Sequence, residues 1–130
     1  LQAMFDAKEI DLSQYEAESS FHDATGAGRG YACAGGVAEA IEKCINEYYP
    51  DVEVSIEHAE GLAECKKTLT LAKAGRLNGC LIEGMGCPGG CIAGAGTNIP
   101  VLKAKKDLAA YVKNSTTPIP PKELEEIELE

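Results

Sequence analysis

Between residues 35 and 48 the apolar positions recur at spacings of three and four: Val37, Ala40, Ile41, Cys44, Ile45 and Tyr48. That period lines one side of a helix, and Pro50 ends it. Val52, Val54 and Ile56 then alternate with polar residues, which predicts a strand. A second helix is expected from Gly61 to about Gly75, with Leu62, Cys65, Leu69 and Ala72 on one face. Cys80, Leu81 and Ile82 form a short unbroken apolar run, the pattern of a strand buried on both faces. A third helix is predicted from Pro100 to Lys113, with the proline in its first turn and Val101, Ala104, Leu108 and Tyr111 facing inward. At the start of the chain Leu1, Met4 and Phe5 suit a short helix.

Strand, helix and strand in this order predict a right-handed crossover between parallel strands. The fold class is therefore α/β, a small parallel sheet with crossover helices. Two strands make a thin sheet, so a further strand is expected outside this stretch or within residues 15–32. Residues 11–30 carry no period and read as a long connection, ending in the flexible Thr25–Gly30 stretch. Residues 1–114 form the domain. Residues 115–130, with Pro118, Pro120, Pro121 and an acidic run, read as a flexible tail.

Composition narrows the functions available. The 130 residues suit one domain. Aromatic residues make up 5% and Trp is absent, so the core must rest on aliphatic and small side chains. The net charge of −9 disfavours nucleic acid and anionic membrane as partners. No apolar stretch is long enough to span a bilayer, and no export signal is seen, so a cytoplasmic location is expected. The first residue is Leu1 rather than Met, which suits a processed or cut piece of something longer. Six cysteines without an export signal point to reduced thiols or metal ligands.

The chemistry concentrates in Glu83–Thr97, EGMGCPGGCIAGAGT. This loop follows a predicted strand, and open α/β sheets place ligands at the carboxyl ends of their strands. Two cysteines, five glycines and a proline fall within the eleven residues from Gly84 to Gly94. Glycine lets a backbone approach a bulky group and adopt positive φ, and successive N–H groups can point at an anion. Thiolates bind iron, and an iron–sulfur cluster generally takes four. Cys87 and Cys91 can hold two corners. An idle glycine-rich turn or a redox disulfide are the competing readings. The first is costly in chain entropy, and the second lacks a C-x-x-C spacing.

The run Met85-x-Cys87-x-x-Gly90-Cys91-x-x-Gly94-x-Gly96 resembles the third cysteine motif of iron-only hydrogenases. Upstream, Tyr31–Ala40 (YACAGGVAEA) resembles that family's aromatic-G-x-T-G-G-V-x-E-A segment. Residues 61–76 resemble the helix before its last strand, and Phe5–Gln14 resembles the stretch ahead of these. The resemblance covers roughly residues 1–113. It implies a C-terminal lobe of the catalytic domain, whose active site joins a four-iron cubane to a di-iron centre. Cys87 then matches a cubane ligand, Cys91 the bridging cysteine, and Met85 a catalytic-pocket methionine. Gly90, Gly94 and Gly96 would lie against the cofactor, and Glu83 would take a supporting role at the strand end. The remaining ligands and a proton-relay thiol would come from upstream motifs of the same domain, so the isolated chain is expected to be inactive. A redox partner such as ferredoxin is implied. Departures occur at Ala34, where the family has Thr, at Ala95, and at Thr97, where it has Gln. These resemble a divergent, sensory branch and argue against high hydrogen turnover.

A rival reading is a small thioredoxin-like ferredoxin, which holds a two-iron cluster with spacings comparable to Cys33, Cys44, Cys87 and Cys91. A regulatory module that has lost metal is a third. Cys44, Cys65 and Cys80 are read as small core hydrophobes and Cys33 as idle. His22 and His58 are read as surface histidines, with Glu57 and Glu60 beside His58 a weak metal candidate. The loop 84–97 is expected to stay unordered without metal, because its N–H groups would lack the core they surround.

Overall fold

The structure, a computed structural model, describes residues 1–18 and 24–122. Helix α1 (Gln2–Ala7) opens the chain and a single 3-10 turn (Leu12–Gln14) follows. Asp11 caps that turn, accepting from the Ser13 backbone and hydroxyl at 3.0 and 2.7 Å and from Gln14 at 3.3 Å. These bonds, the Ser13 side chain first, hold the Asp11 carboxyl below the usual aspartate range.

Residues 25–30, expected to be flexible, instead form a one-turn helix α2 (Gly26–Arg29) and run into a 3-10 turn (Gly30–Ala32). Three local causes hold them. Thr25 Oγ1 accepts the Gly28 N–H at 3.0 Å. The N–H groups of Gly26 and Ala27 donate to the carbonyls of Thr117 and Pro118, each at 2.8 Å. Arg29 donates to Ala24 O and Tyr111 O and lies 4.3 Å from the Tyr111 ring centroid. No strand occurs among the described residues of 15–32. Residues 115–122, read above as the start of a tail, thus pack back on the domain. Tyr48 donates to Pro120 O at 2.7 Å, and the Lys122 ammonium lies 4.9 Å from the Tyr49 ring centroid. The acidic run beyond lies outside the described residues.

Helix α3 (Gly36–Tyr48) starts from Gly35 at φ +86 and ends ahead of Pro50. Strand β1 (Ser55–Glu60), helix α4 (Leu62–Lys73) and strand β2 (Cys80–Met85) follow. The strands pair in parallel, from Ser55 with Cys80 to Glu60 with Met85. β1 begins later than the Val52–Ile56 alternation predicted, because β2 supplies partners only from Ser55 onward. Helix α5 (Val101–Lys113) begins after Pro100, as expected.

Neighbouring residues of a strand point to opposite faces. Glu83 reaches Val37 of α3, while a Cβ on Gly84 would lie 3.3 Å from Cys65 Sγ of α4. The two helices therefore cover opposite faces of the sheet. Three burial expectations change, the first being that Val101 and Tyr111 of α5 are exposed, at 39% and 48%, rather than inward-facing. Cys80, Leu81 and Ile82 are only half-buried, since β2 has one strand neighbour among the described residues and a free edge. In α4, Leu62 and Leu69 are 79% and 62% exposed, while Thr68 is buried and Cys65, Leu71 and Ala72 are half-buried. Cys65 of the helix packs against Ala59 and Gly84. Among the described residues the buried apolar side chains are all alanine: Ala27, Ala38, Ala40, Ala59 and Ala104. Among the described residues no helix is long and apolar enough to cross a membrane.

Candidate metal centre

Strand β2 ends at Met85 and delivers the chain into a tight loop at the carboxyl end of the sheet. Both Cys87 and Cys91 are exposed on this loop, whereas Cys33, Cys44, Cys65 and Cys80 are half-buried. Cys91 opens a 3-10 turn (Cys91–Ala93). A Cβ on Gly94 would lie 3.5 Å from Cys87 Sγ, so the second glycine of the motif runs directly beside the first thiol. Gly96 faces open space.

Gly90 makes a close approach to the protein itself. It adopts φ +84 and ψ −169, a region essentially reserved for glycine. A Cβ there would collide with the backbones of Ala32, Cys33 and Ala34. Its missing side chain is thus needed against protein, and the Ala34 N–H donates to Gly89 O at 3.3 Å along the same seam. The loop is pinned on its other flank as well. The Gly61 N–H donates to Met85 O at 2.7 Å, and the Gly89 N–H donates to Glu60 Oε2 at 2.6 Å. Within the loop, N–H groups of Gly90, Ala93, Gly94 and Thr97 donate to the carbonyls of Cys87, Gly90, Cys91 and Gly94 at 3.0–3.1 Å. These four donors, and that of Gly89, therefore have partners within the polypeptide.

Met85 is half-buried and lines a groove of about 270 Å³ between α3 and β2, with Val37, Ile41 and Leu81. Cys91 lines another, of about 490 Å³, against α5 with Ala32, Ile99 and Tyr111. The motif's methionine and second cysteine therefore open onto different surfaces. Glu83 is the buried carboxylate of the region. Its Oε1 accepts the Val37 N–H and its Oε2 meets His58 Nδ1, both at 3.2 Å. The start of α3 has no side-chain cap of its own, and a carboxylate there also meets the positive end of the helix dipole. His58 is therefore a partner of Glu83 rather than an isolated surface side chain. His22 lies outside the described residues. Sequence reasoning gave Glu83 a supporting role and named Glu60 and His58 only as a weak metal candidate; it missed the Glu83–His58 contact and the Glu60–Gly89 bond.

Cys44 lies in a groove with Tyr31, Ile41, Ile45 and Tyr49, and Cys33 in another with Lys43 and Leu108. Cys65 Sγ sits 3.6 Å from Ala59 O, packed between α4 and the sheet. Among the described residues no group of three or more His, Cys, Asp or Glu side chains comes together to hold a metal. The four cysteines of the ferredoxin reading are thus not gathered.

A parallel strand pair with two exposed cysteines on the loop at its carboxyl end defines a small α/β unit. Comparison with protein families matches residues 1–95 to the iron-only hydrogenase large subunit, C-terminal domain. The chain belongs to that family. A comparison with curated proteins finds no match. Membership makes this a domain of hydrogen metabolism and implies an iron–sulfur cofactor in the parent protein. The donor set fits such a group as far as it goes. Two solvent-facing thiols share one pinned loop, with glycine rather than a side chain beside Cys87 Sγ. Two further ligands are needed to complete a cluster.

Proposed function

We propose that this chain forms one side of the active site of an iron-only hydrogenase or hydrogen sensor, with Cys87 and Cys91 as two thiolate ligands of its iron–sulfur centre. The observation that carries this reading is the pair of exposed thiols on a loop locked to both α3's entrance and the β1–α4 turn. Cys87 and Cys91 would hold the iron–sulfur group through their thiolates, Cys91 in the position that matches the family's bridging cysteine. When bound, that cofactor supplies the electron transfer and the hydrogen chemistry. The chain's own residues orient it. Gly94 leaves room beside the Cys87 sulfur, Gly96 gives an unhindered approach, and Gly90 seats the turn. Met85 lines the groove between α3 and β2, on a different surface from Cys91, and Glu83 holds α3 and β1 together beside it. The other ligands come from an upstream part of the same domain, and electrons pass to a redox partner such as ferredoxin in the cytoplasm. Alone, the chain is inactive.

The test is iron content and electron paramagnetic resonance of the anaerobically purified parent protein. Cys87→Ser and Cys91→Ser should each lower bound iron and alter the signal, while Cys33→Ser and Cys44→Ser leave both unchanged. Full iron loading in the Cys87 and Cys91 variants would overturn the assignment. Iron loss in all four would favour a two-iron ferredoxin site.

A further inference from the structure

We propose that Glu60 is a positioning residue for the cysteine loop: its carboxylate captures the Gly89 N–H and thereby fixes the turn between Cys87 and Cys91. The inference rests on the ligand roles proposed above for those two cysteines. Glu60 is the last residue of β1 and pairs in register with Met85, the last residue of β2. From there Oε2 reaches Gly89 at 2.6 Å, a short charge-assisted bond into the middle of the C-P-G-G-C turn. Glu60 is itself held, because its own N–H donates to Glu64 Oε2 at 3.0 Å. The next residue adds two supports. The Gly61 N–H holds Met85 O at 2.7 Å, and a Cβ on Gly61 would come within 3.5 Å of the Pro88 ring. The β1–α4 turn therefore forms a seat under residues 85, 88 and 89, with one charged side chain as its fastening.

Two consequences separate this role from simple packing. First, a Gly89 N–H engaged by a carboxylate is withheld from any sulfur bound at the neighbouring cysteines. Second, the glutamate places a fixed negative charge beside the thiolates, and hydrogen bonds and charge near a cluster set its reduction potential. Removing the charge should make a bound cluster easier to reduce.

The test compares Glu60→Ala with Glu60→Gln, the second retaining an acceptor without the charge. In the chain without iron, amide exchange at Gly89 should accelerate about tenfold in Glu60→Ala and less in Glu60→Gln. Exchange at Val37, held by Glu83, should stay constant. In the iron-loaded parent protein the midpoint potential should rise in both variants, and iron retention should fall in Glu60→Ala and recover in Glu60→Gln. Unchanged Gly89 exchange in Glu60→Ala, or an unmoved potential in both, overturns the positioning role. Full iron retention in Cys87→Ser and Cys91→Ser overturns the ligand reading instead, and with it the role of Glu60 toward iron.

Discussion

Replacing Gly90 with alanine separates two explanations for a glycine in this motif. If the glycine serves only an inorganic group, the polypeptide without iron should tolerate a methyl group there. The structure predicts the opposite. At φ +84 and ψ −169 an alanine is strained by about 1–3 kcal/mol. Its Cβ also meets three backbone segments, Ala32, Cys33 and Ala34, none of which can rotate away as a side chain could. Forcing an extra carbon into such a seam costs about another 1–3 kcal/mol. The sum is about 2–6 kcal/mol, which for a domain of this size lowers Tm by about 10 °C or more. A cheaper escape is for the loop to leave the seam, which breaks the Ala34 to Gly89 bond. Thermal unfolding by circular dichroism reads the first outcome and amide exchange at Ala34 the second. Gly96→Ala is the control, since nothing lies within 4 Å of its added carbon. An unchanged Tm together with an unchanged Ala34 amide in Gly90→Ala would refute the reasoning.

Glu83→Ala removes a buried acceptor from the Val37 N–H and from His58, and should cost about 1.5–3 kcal/mol in a denaturant titration. Glu83→Gln, which keeps an acceptor, should cost less. His58→Ala should also cost less than Glu83→Ala, because its side chain is half exposed. Leu62→Ser and Leu69→Ser should change the unfolding midpoint by no more than about 0.5 kcal/mol, despite falling on the apolar stripe of α4, because both leucines are mostly exposed. The lowered Asp11 pKa gives a local pH effect: its cap is intact above the usual aspartate range and is lost as pH falls through the lowered value. The Ser13 amide shift should follow that single titration, and Asp11→Asn should abolish it.

The helices α3, α4 and α5 were legible because each carries its own stop or start: Pro50, Gly61 and Pro100. The parallel crossover was legible from element order alone. The cysteine loop stood out by composition, and the family assignment followed from its spacing. What stayed hidden was relational. The α2 turn has no period of its own and exists because Thr117 and Pro118, some ninety residues later, accept its first N–H groups. The inward face of α4 depends on Gly84 and Ala59 opposite it, not on the hydrophobicity of Leu62 and Leu69. Glu83 was expected to support the strand end and Glu60 was named only as a weak metal candidate, since nothing local to either residue announces Gly89, Val37 or His58 as its partner.

Among the described residues the buried apolar side chains are only alanines, which changes how the loop is held. Large side chains anchor a loop by removing apolar surface from water, roughly 25 cal/mol per Å², and tolerate small shifts of position. Alanines and glycines instead allow backbones to touch. Gly36 starts α3 against the backbone of Gly30, and Gly90 rests on residues 32–34 one turn earlier. Ala40 lines two of the grooves beside α2. The α2 segment, the start of α3 and the cysteine loop thus form one chain of close approaches, with Glu83 and Glu60 as polar fastenings on its two flanks. Such contacts have short range and little give, so the separation of the two thiols is governed by segments far from them in sequence. A larger side chain at Ala40, remote from either cysteine, would be felt at Gly90 before it was felt at the exposed leucines of α4.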